Sequence, residues 1–147
     1  MFVPADFEVP RSFEGPGFRL EPLGSEHNKG DHEAWMSSIE HIESTPGMDL
    51  WRGHWPVPMS LDDNLADLIR HRDEFDAREA FAYSVLDRDE VIGCVYINPI
   101  DGKPREARVL SWVRASKAEM DRVVWASVSE WLATDWPFRN VTYALRL

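Results

Sequence analysis

Residue types that can do chemistry gather in two parts of this sequence. One is the turn Arg114-Ala115-Ser116-Lys117-Ala118-Glu119, where two cations sit beside a Ser-x-x-Glu spacing at the head of a long apolar-periodic segment. That spacing is a capping box: Ser116 accepts from the amide three residues on, and Glu119 reaches back to the Ser116 amide. Amides at a helix start also bind phosphate, being unpaired and at the positive end of the helix dipole. The turn therefore reads either as an anion site charged by Arg114 and Lys117 or as a plain, well-capped helix. Glu119 and Asp121 add negative charge where a phosphate would come in.

The other part is the loop 43–59, which carries Trp51, His54 and Trp55 among Pro46, Gly47, Pro56 and Pro58. Its aromatic side chains can wall an alkyl or cationic group, or simply pack the loop onto the core. Glu40 and Glu43 just before it can act as a base through water, or be solvated helix-end carboxylates. Elsewhere the signals are thin. His27, His32, His41, His54 and His71 include no His-Glu-x-x-His pair and no cysteine partner, so no metal site is expected. Asp67 and His71, four apart, read as a surface pair. Ser37 and Ser38 near His41 lack the glycine elbow of a hydrolase.

Composition bounds the answer. A chain of 147 residues with 44% hydrophobic and 29% charged residues suits one globular domain. Its formal net charge of -10 argues against nucleic acid or an anionic membrane surface as partner, and fits a cationic or amine substrate. The single cysteine, Cys94, lies in an apolar strand and reads as core. The N-terminus shows no signal-peptide pattern and no membrane span, so a cytoplasmic location is expected.

The elements that must position these residues follow from periodicity. Residues 1–17, with Pro4, Pro10 and Pro16, read as an extended arm whose Phe2, Phe7, Val9 and Phe13 pack on the domain or on another subunit. Residues 18–23 alternate as a first strand. Asp31 is placed to cap a helix running to Ile42, with Trp35, Ile39 and Ile42 on one face. Ser60 caps a second helix with an apolar stripe of Leu61, Leu65, Leu68, Ile69 and Phe75. Residues 81–86, 91–97 and 107–113 form an antiparallel meander, with 98–106 a loop; Tyr83 and Tyr96 are core or cavity-lining. Gly93 marks a close backbone approach or a bulge. A long helix over 118–135 presents Met120, Val123, Val124, Val128, Trp131 and Leu132. A last strand over 140–145 lies beside 107–113, parallel to it through a right-handed crossover.

This order resembles the GNAT N-acetyltransferase superfamily. The likeness is carried by Phe18-Arg19-Leu20-Glu21-Pro22-Leu23 and the two helices after it, by 81–97 with Val91-Ile92-Gly93, by Ser111-Trp112-Val113-Arg114 leading into the long helix, and by the strand from Phe138 to Tyr143. It implies an α+β sandwich: a mixed, mainly antiparallel sheet with helices on both faces, in a domain spanning 18–147. It implies acetyl-CoA as cofactor and acetyl transfer to a small-molecule or peptide amine. By the resemblance, the pantetheine arm pairs with backbone at Ser111, Trp112 and Val113, and the pyrophosphate lies on the turn with Arg114, Ser116 and Lys117. The acceptor then lies near Trp51, Trp55 and Glu40; no catalytic residue is assigned. The family's Arg/Gln-x-x-Gly-x-Gly/Ala loop is missing, and no glycine follows Gly102. The family's further helix and two strands, which often carry a general-acid tyrosine, are not expected after 140–145. A bare sheet edge there would be covered by the arm or by a second subunit as a homodimer. The alternative to an enzyme is a non-catalytic GNAT-like module, for ligand binding or assembly, with a degenerate cofactor site.

Overall fold

The computed structural model describes residues 1–51 and 53–147. Its centre is a six-stranded sheet whose strands lie in chain order. These are β1 (Phe13–Gly15), β2 (Phe18–Pro22), β3 (Phe81–Asp87), β4 (Glu90–Ile100), β5 (Lys103–Val113) and β6 (Asn140–Tyr143). Neighbours are antiparallel except β5 and β6, which run parallel as the crossover through the long helix requires. The helices are α1 (Asn28–Met36), α2 (Ile39–Glu43), α3 (Leu61–Asp76) and α4 (Met120–Asp135).

Strand alternation divides the interior into two cores. Phe81, Tyr83, Val85, Val109 and Val113 face α4, meeting its Val124, Val128, Trp131 and Leu132. Ala82, Cys94, Tyr96, Leu110 and Trp112 face the other way and meet Trp35 of α1, Ile42 of α2 and Leu68 of α3. Because helices cover both faces, residues 81–86 are buried without a break. Gly93 sits where a Cβ would fall 2.2 Å from the Trp112 carbonyl, so the close approach read from the sequence is between β4 and β5.

The N-terminal segment is folded into this chain's own first core. Val3 is fully buried. Phe2 stacks on Phe81 and Phe138, and Phe13 on Trp131. The Tyr83 hydroxyl donates to the Pro10 carbonyl at 2.6 Å, and Arg78 to that of Pro4 at 2.6 Å.

Three local expectations are corrected. The helix over 31–42 is broken into α1 and α2 at Ser37 and Ser38: Ser37 donates from its side chain to the Ala34 carbonyl, and Ser38 leaves helical geometry at φ -136°. Residues 98–106 are a hairpin rather than a loop: β4 and β5 pair to Ile100 and Lys103, with Gly102 supplying the positive φ of the turn and a register shift at Pro99. The α3 cap holds, Ser60 accepting from the Asp63 amide at 3.0 Å, but Leu61 is left 43% exposed.

Candidate functional site

The first feature is a gap in the sheet. β5 and β6 pair from Glu106 and Asn140 to Val109 and Tyr143, then stop. β5 continues to Val113 along β4, so its residues 110–113 have no β6 partner. Arg146, only 4% exposed, reaches into this gap. Its Nη2 donates to the Ser111 carbonyl at 2.9 Å and to Ser111 Oγ at 3.3 Å, and its Nη1 to the Ala144 carbonyl at 2.9 Å. Its Nε donates to Asp121 Oδ2 of α4 at 2.8 Å, a charge-assisted bond in a buried setting. Ser111 Oγ lies 2.6 Å from the Tyr143 hydroxyl, whose pKa burial pushes up, keeping it protonated. A side chain of this chain thus occupies the main-chain acceptor at the strand end.

The second feature is the turn after β5. It is a 3₁₀ turn, Ala115–Lys117, and α4 begins only at Met120. The expected capping box is absent: Ser116 falls inside the 3₁₀ turn, where Lys117 donates to the Arg114 carbonyl at 2.9 Å and Ala118 to that of Ala115 at 3.3 Å, and Glu119 stands at the N-cap of α4 with no side-chain cap bond. The Ala115 amide is taken by Ser38 Oγ at 2.8 Å, from the break between α1 and α2. Arg114 lies 3.4 Å from Glu90 and 3.7 Å from Glu33, and Lys117 lies 3.5 Å from Asp87. Ser116 is exposed. The strand end thus has the shape for an extended arm, while the Ala115, Lys117 and Ala118 amides and both cations of the turn already have partners inside the chain. Trp112 points to the opposite face and donates to the Tyr96 hydroxyl at 3.0 Å; Val113 is core.

The third feature is a cavity of about 940 Å³ on the α1–α3 face. Trp35, Trp51, Trp55 and Tyr96 form apolar walls, with Trp51 4.6 Å from Tyr96 and 5.1 Å from Trp55, and Trp55 5.5 Å from Trp35. Asp31, 4% exposed, lines it. Asp31 Oδ2 accepts from Asn64 Nδ2 at 3.1 Å, and Asn64 is fixed by Trp35 Nε1 donating to its Oδ1 at 3.0 Å. Burial raises the Asp31 pKa to about 6, against the lowering bond from Asn64. His71 lines the same cavity 3.6 Å from Glu74; burial, with Arg70 adding, lowers its pKa to about 4, so it is neutral at neutral pH. Arg108 also lines it, its Nε without a partner among the described residues. Leu110 joins cavity and gap: it lines the former, and a Cβ on Gly47 would touch both Leu110 and Ala144.

Trp51 and Trp55 therefore both line the cavity and pack the loop, while Glu40 is exposed on α2 outside it. Asp67 and His71, read as a surface pair, instead face the cavity, because α3 packs over it. Asp31 was expected as a helix cap and is inside α1 with its carboxylate turned inward. Its signal was there: Asp31 and Trp35 are four apart and share a helix face. Nothing local marks Arg146 and Asp121, which come together only through the crossover, or Arg108, which lines the cavity.

No family model and no curated protein matches the sequence. Solved structures do match. The ribosomal-protein-S5-alanine acetyltransferase of Vibrio fischeri is 17% identical with a TM-score of 0.60, over 83% of this chain and 67% of its own. The microcin C7 self-immunity acetyltransferase MccE, solved with acetyl-CoA and AMP, is 14% identical with a TM-score of 0.63, over 80% and 61%. RimL, the ribosomal L7/L12 alpha-N-protein acetyltransferase, solved with coenzyme A, is 14% identical with a TM-score of 0.62, over 82% and 67%. At these identities the likeness is one of fold, and this chain spans about two thirds of the neighbours' length or less.

Proposed function

On this GNAT-like fold, we propose that the chain is an acetyl-CoA-dependent N-acetyltransferase acting on a small-molecule or peptide amine in the cytoplasm. The observation that carries the reading is the parting of β5 from β6 beside an acidic, tryptophan-walled cavity. Acetyl-CoA supplies the acetyl group. The chain supplies main-chain hydrogen-bonding groups on the gap side of β5 at Ser111 and Val113, the Ser111 carbonyl becoming available when Arg146 leaves the gap, while the Trp112 carbonyl is turned toward β4. Asp31, ionised at neutral pH with a pKa of about 6, holds the acceptor ammonium and is the proton acceptor this reading uses. Trp51 and Trp55 flank the amine.

A second reading has its own support. Arg146 on the Ser111 carbonyl, Ser38 on the Ala115 amide and the paired Arg114 and Lys117 favour a non-catalytic ligand-binding or assembly module. The two separate by calorimetric titration of acetyl-CoA into the parent and into Arg146→Ala/Asp121→Asn, the second change avoiding an orphaned buried carboxylate. The transferase reading expects the double variant to bind at least ~10-fold more tightly than the parent, through the freed acceptor at Ser111. Thiol release with amines would then follow. Absence of heat from both proteins at millimolar ligand sinks it and selects the module.

A further inference from the structure

The tryptophan-walled cavity has a feature that acetyl transfer alone does not require. Its deepest carboxylate, on Asp31, is buried and held by a neutral amide, Asn64, with no cation in ion-pair range among the described residues. Burying an ionised carboxylate without a counter-charge is unfavourable. The same cavity is lined by Trp35, Trp51, Trp55 and Tyr96, packed ring against ring. Aromatic faces attract cations, most strongly where water is displaced. Among the described residues the rest of the lining is acidic on balance: Asp67, Glu74, Glu79 and Asp101 outnumber Arg70, itself 3.2 Å from Glu74, and Arg108. The volume is at the upper end of the roughly 300–1,000 Å³ of small-molecule sites.

We propose that this cavity is an organic-cation site, holding an ammonium ion with an apolar body, its charge against Asp31 and its body between the tryptophans. The inference rests on the acceptor-cavity reading above but narrows it. Positive charge, rather than a transferable N–H, is what the cavity recognises, and it does so without acetyl-CoA. A quaternary ammonium, which has no N–H to acetylate, should therefore bind as a primary amine does.

The probes are benzyltrimethylammonium, benzylamine and the uncharged benzyl alcohol. Binding is followed by tryptophan fluorescence and by calorimetry on the full chain without cofactor. Both cations should bind, with the alcohol at least ~10-fold weaker, as expected for loss of a charged partner. Asp31→Asn should bring the cations down to the level of the alcohol, and Trp55→Ala should weaken all three. Equal binding of alcohol and cations overturns the proposal, as does no binding of benzyltrimethylammonium at 10 mM (on the order of the weakest useful affinity). Cation binding unchanged in Asp31→Asn also overturns it. Because benzyltrimethylammonium cannot be acetylated, these outcomes are independent of whether the chain binds acetyl-CoA.

Discussion

Asp31 and His71 are buried on the same cavity with opposite consequences for stability. The Asp31 pKa is raised from 3.8 to about 6 by burial, so the fold prefers its protonated form. Its contribution is full below about 4 and is lost as pH rises through about 6. The His71 pKa is lowered from 6.5 to about 4, again by burial and then by Arg70, so the fold prefers the neutral ring. Its contribution is present above 6.5 and is lost as pH falls through about 4. The two oppose each other across one window. Urea unfolding should show Asp31→Asn gaining on the parent by up to ~3 kcal/mol as pH rises from 4 to 6.5. His71→Gln should lose by a similar amount, about 3 kcal/mol, over the same range. Differences from the parent that stay flat with pH would refute both assignments. An Asp31→Asn protein that is steadier at pH 7 yet poorer at cation binding would mark Asp31 as a residue kept for the cavity at a cost to the fold. The tryptophans were readable at this scale, being large apolar residues in a proline-rich loop. The role of Asp31 was not, because its local pattern is also that of a cap.

At the scale of elements, the break between α1 and α2 is the feature with most consequence. Ser37 and Ser38 end one helix and start another, and the turn aims Ser38 Oγ at the Ala115 amide across the molecule. The cap expected from Ser116 on the Glu119 amide is absent, and it is the Ala115 amide that a hydroxyl distant in sequence holds. Ser38→Ala should destabilise the protein by ~1 kcal/mol and speed exchange of the Ala115 amide proton relative to its neighbours. Unchanged protection at Ala115 would show that water replaces the serine without loss. Strand periodicity, the Ser60 cap and the parallel β5–β6 return were legible because each depends on neighbouring residues. The hairpin at Gly102 was missed because Pro99 and Pro104 argue against strand, and the pairing tolerates them only through a register shift.

At the scale of the molecule, the N-terminal segment is part of the core. Phe2, Val3, Phe7 and Phe13 complete the α4 face, and Pro10 accepts from Tyr83. Of the two surfaces considered for self-association, the arm is engaged within this chain; among the described residues no strand pairs with the outer edge of β6. Deleting residues 1–12 should lower the thermal midpoint by ~15 °C with loss of near-ultraviolet tertiary signal, from the aromatic contacts removed. A shift below ~3 °C would mean the segment merely rests on the surface.

The sequence by itself determined the order of the five strands β2 to β6 and of the helices α3 and α4 among them, the two-faced burial of the central strands, the close approach at Gly93 and the aromatic loop. All of these rest on periodicity and on the steric character of single residues. It did not determine β1 within the N-terminal arm or the break between α1 and α2. Only the tertiary structure decided which groups are already engaged. That Arg146 closes the gap at Ser111, that Ser38 uses the Ala115 amide, and that Asp31 is buried on Asn64 in a tryptophan-walled cavity depend on residues far apart in the chain. Their partnership is set by the crossover and by the break between α1 and α2, and no local pattern encodes it.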